Sequence, residues 1–126
     1  MKALKAMRIK IKIGDLWVSP DLHVLLTRED DVFVVRCLDF TVSSHGKDEK
    51  DALKSLAEAI KEYILTSIEN SNIENLYDPA HNKYWRVFNE LEAKQLSKNF
   101  KRSLSKSILM ESPEEIEKQT VNLTHA

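Results

Sequence analysis

Apolar residues along this chain first alternate, then run together, then recur at helical spacing. Ile9, Ile11 and Ile13 alternate with Arg8, Lys10 and Lys12, the period of a strand with one buried face. Gly14-Asp15 follows as a two-residue turn with glycine first, and Leu16-Trp17-Val18 returns as the second arm of a hairpin. Ser19-Pro20-Asp21 ends that arm. Leu22 to Thr27 and Val32 to Leu38 are two further strands joined by the polar turn Arg28 to Asp31. The second is dense in β-branched and aromatic residues and reads as a central strand. Alternation with Val24 sends His23 to the solvated face. Asp39 to His45 reads as a loop carrying one large apolar residue, Phe40. Met1 to Met7 reads as a loose leader, with Met7 an alternative start.

Between Gly46 and Ile68 the period changes to that of a helix. Leu53, Leu56, Ile60, Tyr63, Ile64 and Ile68 recur at steps of three and four, while Lys50, Lys54, Glu58, Lys61 and Glu62 fall mostly on the other side. Asp48 stands where a capping carboxylate accepts from the free N–H groups of the first turn, and Asp51 gives a short-armed capping box. Gly46 lets the backbone turn into the helix. A polar linker, Glu69 to Asn75, and Pro79 close this region. Tyr84 to Phe88 fits a short strand that completes the sheet. It equally opens a helix from about Trp85 to Leu109, the favoured reading, with Trp85, Phe88 and Leu91 ahead of a stripe of Leu96, Phe100, Leu104 and Ile108. So small a sheet has little use for that helix in its own core, so the stripe is assigned to packing on another copy of the chain. Ser112-Pro113-Glu114-Glu115 carries a helix-start signature.

The expected fold is therefore α+β. A small antiparallel sheet of three to four strands carries one long amphipathic helix, in the order βββα with a possible last strand, and a helical C-terminal extension follows. The division falls at residues 1–88 and 89–126. The 126 residues suffice for a modest core, and 31% charged with 42% apolar residues is an ordinary globular balance. A net charge of -1 argues against a chain that binds nucleic acid over its whole surface. The one cysteine, Cys37, leaves no intramolecular disulfide and fits a reducing cytoplasm, and it reads as a small buried hydrophobe. No apolar run reaches membrane-spanning length.

Catalytic chemistry is not expected, nor a cofactor or metal. The sequence holds no glycine-rich phosphate loop and no His/Cys cluster at metal-ligand spacing, and His23, His45, His81 and His125 are scattered. Glu29, Asp30 and Asp31 are contiguous and read as a turn.

The run LHVLLTREDDVFVVRCLDFTVSSHGKDEKDALKSLAEAI resembles the HicB-like antitoxin family. That family has two strands joined by a short acidic turn, an aliphatic-acid pair, a loop ending in Gly-x-Thr-x-x-Glu-Ala, and a long amphipathic helix. Here Leu38-Asp39 takes the place of the pair, Gly46 of the loop glycine, Asp48 of the capping threonine and Asp51-Ala52 of the Glu-Ala step. The likeness covers about residues 22–68 and, less closely, 76–88, where Leu76 to Pro79 falls at the entry to the family's last strand. It implies a fold related to part of the ribonuclease H architecture. It also implies a stoichiometric role, in which the antitoxin covers the catalytic surface of a small ribonuclease, a HicA-like toxin. Self-repressing members end in a ribbon-helix-helix or helix-turn-helix module, and neither is recognised after Leu91.

Three sets of residues are candidates for binding. Asp39, Phe40 and His45, in the loop before the helix, are assigned to the partner, although Phe40 serves equally as a plug under the helix. Leu96, Phe100, Leu104 and Ile108 are assigned to a homodimer or tetramer. Lys94, Lys98, Lys101 and Arg102, with Lys106, form a basic segment without an acid between Ala93 and Met110; it suits phosphates, an acidic partner or plain solvation. Lys2, Lys5, Arg8, Lys10 and Lys12 suit the protection of an edge strand.

Overall fold

Strand formation starts earlier than the alternation of Arg8 to Ile13 suggests. In the computed structural model, which describes residues 1–15 and 17–110 (the last three by backbone alone), Lys2–Ile9 is strand β1. It pairs antiparallel with β4, Leu22–Glu29, from Lys2 opposite Arg28 to Ile9 opposite Leu22, with a register shift between Ala3 and Lys5. The stretch read as a loose leader is thus an edge strand. Its alternation is masked by that shift and by short side chains at Ala3 and Ala6.

The strand breaks after Ile9. Lys12–Ile13 (β2) and Trp17–Val18 (β3) form a separate hairpin, with Lys12 opposite Val18 and Ile13 opposite Trp17, a register that the expected two-residue turn at Gly14-Asp15 does not give. Gly14 sits at φ +61°, a conformation that glycine adopts without cost. The hairpin is tied back through Ser19, whose N–H donates to the Ile11 carbonyl (2.8 Å) and whose Oγ accepts from the Ile11 N–H (2.8 Å). Ile11 itself is buried.

Strand β4 turns at Asp30-Asp31 into β5, Val32–Cys37, with Asp30 in the left-handed region at φ 57°. A turn at residues 38–41 then leads into β6, Val42–Gly46, which pairs with β5 from Phe33 opposite Gly46 to Cys37 opposite Val42. Most of the expected loop Asp39 to His45 is therefore a strand. Its serines and histidine hid it, because an edge strand needs only one buried face. The sheet is antiparallel throughout, in the order β1-β4-β5-β6, so β5 is central as expected.

Both faces of the sheet are covered. On one lies α1, Glu49–Glu69, which buries Ala52, Leu56, Ile60 and Ile64 against Leu22, Val24, Leu26, Val35 and Cys37. Its start is a variant of the expected capping box, in which Asp51 reaches back to the N–H one residue ahead of the cap Asp48. Asp48 Oδ1 accepts from the Asp51 N–H (2.7 Å), and Asp51 Oδ2 accepts from the Lys47 N–H (3.1 Å). The other face presents Ala6, Leu25 and Leu38, and Phe88 closes over them with Tyr84, Trp85, Val87 and Leu91 around it. These aromatics belong to α2, Asn82–Met110, which settles Tyr84 to Phe88 as helix and not strand. A short 3-10 turn, Ile73–Asn75, and residues 76–81, which belong to no regular element, connect the two helices.

The chain divides into two compact units, Met1–Glu92 and Ala93 onward. In the first unit, the opening turns of α2 supply a second core that the sequence reading did not expect of this helix. In the second unit, Leu96, Phe100 and Leu104 are exposed. The helix start read at Ser112-Pro113 lies outside the described residues. Among the described residues no helix is long and apolar enough to cross a membrane.

Candidate functional site

The three residues assigned to a partner are separated by the fold. Phe40 is buried in the first core, its ring 5.5 Å from that of Tyr63. It is the plug under α1, not an exposed anchor. Asp39 is also buried and works as an internal acceptor. Its Oδ2 accepts from the His23 N–H (2.7 Å), and Oδ1 and Oδ2 stand 3.2 and 3.3 Å from His23 Nδ1. Its carbonyl accepts from the Asp78 N–H (2.9 Å) and that of Leu38 from the Ala80 N–H (2.8 Å). Thr41, at φ 54°, donates its hydroxyl to the Asp78 carbonyl. This turn is therefore held from both sides. Only His45 of the three is exposed, on the outer strand β6.

His23 is not on a solvated face. Its ring is 5.1 Å from that of Trp85 and 5.3 Å, edge-on, from that of Phe88, so it lies half-buried beneath the first turns of α2. Beside it Arg8 grips Glu92 with two parallel hydrogen bonds of 2.9 Å. These hydrogen bonds from Arg8 hold the Glu92 carboxyl below the usual carboxylate range. Arg36 lies 4.9 Å from the Tyr84 ring and donates to Glu29 Oε2 (3.1 Å) and Thr27 Oγ1 (3.1 Å). The cluster is a polar clamp between sheet and helix, with every group engaged inside the unit.

Cys37 is buried under α1, and burial pushes its thiol up to about 11. At neutral pH it is an un-ionised hydrophobe, as read from the sequence. Glu29, Asp30 and Asp31 fall at a strand end and a turn. Among the described residues no group of three or more His, Cys, Asp or Glu is placed to hold a metal ion.

In the second unit, Leu96, Phe100 and Leu104 are 60%, 68% and 44% exposed on successive turns of α2. Ile108 falls on the same helix, but its side chain lies outside the described residues. Lys94, Lys98 and Lys101 line a shallow open groove with Ala93 and Ser97. Arg102 and Lys106 are exposed as well.

One further surface went unread in the sequence. Ile13, Trp17, Ile64, Ile68, Ile73 and Leu76 line a pocket of about 250 Å³ between the β2–β3 hairpin, the last turns of α1 and the 3-10 turn. Ile68 shares the period of the helix's apolar stripe, yet it is 51% exposed. The signal was present in Trp17 beside a turn and in Ile73 inside a polar linker, two large apolar residues where solvation is the rule. Comparison with protein-family models, with curated proteins and with solved structures found no match.

Proposed function

We propose that this chain is a non-catalytic binding protein of the HicB-like antitoxin kind, which docks a small HicA-like ribonuclease toxin in fixed ratio and keeps RNA from its catalytic surface. One observation carries the reading. Within residues 22–68 two strands joined by a short acidic turn, β4 and β5, precede the long amphipathic helix α1, which supports the resemblance, while β6 is a strand where the family pattern has a loop. The positions that define the likeness are also the ones that do physical work there. Gly46 admits the backbone of Ala52, and Asp48 and Asp51 cap the helix. β1, the hairpin and the helix at Tyr84–Phe88 are additions to, or departures from, the family pattern, and they enlarge the body without altering that unit.

The stripe Leu96, Phe100 and Leu104 supports self-association into a dimer or tetramer, because a row of large apolar side chains in water is stabilised by a matching surface. Phe100→Asp is expected to lower the mass in light scattering coupled to gel filtration and to leave the thermal midpoint of the first unit unchanged. An unchanged mass removes the stripe from the assembly. The basic groove of Lys94, Lys98 and Lys101 favours nucleic acid as a second reading; it predicts salt-sensitive binding of an RNA duplex, lost in Lys98→Glu/Lys101→Glu.

The test of the main reading is co-expression with the neighbouring reading frame, with a tag on this chain alone. A small basic protein that co-elutes in fixed ratio, and is toxic when expressed by itself, is the expected result. Elution of this chain alone as a defined oligomer overturns the toxin-masking role and leaves a stand-alone binding protein.

A further inference from the structure

We propose that the apolar pocket at the end of α1 is a docking site for a cationic protein segment that inserts one large apolar side chain. It deepens the binding reading above and rests on it only in that the chain acts by docking.

The pocket holds a side chain of aromatic or leucine size. Its volume is about 250 Å³, and all six lining residues are apolar. Three of them remain in solvent, Trp17 at 41%, Ile68 at 51% and Ile73 at 58% exposure. Val18, Leu65 and Tyr77, each next in sequence to a lining residue, are exposed as well. Both faces of the sheet are covered, and Phe88, Leu25, Leu38, Leu56 and Ile60 are fully buried. An open apolar recess at one end of such a body is an interaction surface.

The surroundings select the sign of the partner's charge. The charged residues next in sequence to the lining residues are two acids, Glu69 beside Ile68 and Glu74 beside Ile73, and one base, Lys12 beside Ile13. All three are exposed, and Lys12 is already 3.8 Å from Asp15. The last turn of α1 holds no basic residue and ends in Glu69, so the negative end of the helix dipole is reinforced instead of offset. A neutral apolar ligand would fill the pocket and leave this field unanswered. A segment with Lys or Arg beside its anchor answers both, because the rim charges steer and orient while the anchor supplies contact area.

The test starts from short random peptides displayed on phage, selected on the intact chain and counter-selected on Ile68→Asp. Ile68 is half in solvent, so the substitution keeps the fold, which a thermal melt verifies. The expected consensus is one Trp, Phe or Leu flanked by Lys or Arg. A synthetic peptide of that consensus should change Trp17 emission, bind Ile68→Asp more than about tenfold more weakly, and lose affinity in Glu69→Lys/Glu74→Lys and in high salt. The proposal is overturned by no enrichment, by an acidic or uncharged consensus, or by equal binding to Ile68→Asp. It is also overturned if the chain is a dimer that Ile68→Asp dissociates, since a second copy then fills the pocket. The neighbouring product separates the two readings. If it co-elutes equally with Ile68→Asp, toxin masking stands and this site falls. If nothing co-elutes while basic peptides are enriched, the site stands and toxin masking falls.

Discussion

Gly46 joins β6 to α1, and its smallness is what lets the two meet. A Cβ there would lie 2.4 Å from the Ala52 nitrogen and 2.9 Å from its Cα, both backbone atoms that cannot swing aside. Gly46→Ala must push the first turn of the helix off the sheet, at a cost of about 1–3 kcal/mol. A urea midpoint lowered accordingly is the expected result, and an unchanged one would mean that the helix start moves freely. The glycine is legible in the sequence as the residue of a sharp turn, whereas close approach is what requires it. Cys37 was read more fully. Its thiol, raised to about 11 by burial, should resist a thiol reagent in the folded chain at pH 8 and react at once in denaturant. Prompt reaction in the native state would place it near the surface.

At the scale of elements, α2 does two jobs along its length, and its sequence period does not reveal the change. Trp85, Phe88 and Leu91 pack on the sheet, whereas Leu96, Phe100 and Leu104 stay in solvent. Both sets recur at steps of three or four, so periodicity alone cannot tell a tertiary contact from a surface held for a partner. Phe88→Ala should lower stability by about 3–5 kcal/mol, since the fully buried ring is the centre of the second core. A loss below about 1 kcal/mol would mean that this core collapses around the gap. Strands β1 and β6 show the converse. Each is an edge strand whose sequence is blurred, one by a register shift and short side chains, the other by polar residues on its open side. Edge strands bury less, so their sequences record less.

For the molecule as a whole, the Arg8–Glu92 pair makes the tie between sheet and α2 dependent on pH. Arg8 holds the Glu92 carboxyl below its ordinary range, while the unfolded chain keeps the ordinary value. The folded state therefore binds this proton less readily. The stabilisation is present above the ordinary glutamate pKa and disappears as pH falls through the lowered folded value. Because half of the Arg8 side chain is in solvent, the contribution is small and sensitive to salt. Urea midpoints measured from neutral pH into the acid range should fall less steeply for Glu92→Gln than for the parent chain. Parallel curves would show that the pair is not coupled to folding.

By itself, the sequence determined the class of fold, the capped amphipathic helix with its glycine and two aspartates, the central strand, the hairpin and the inert cysteine. Each of these is written in local chemistry: a period, a cap, a turn residue or a run of β-branched side chains. Only the tertiary structure decided that His23 and Asp39 face inward as partners, that Phe40 is a plug, that α2 supplies a second core, and that Ile13, Trp17, Ile68 and Ile73 meet around a pocket. Those outcomes depend on which distant segment covers a given face. Burial belongs to a pair of surfaces, and one strand or helix carries only its own half of that pair.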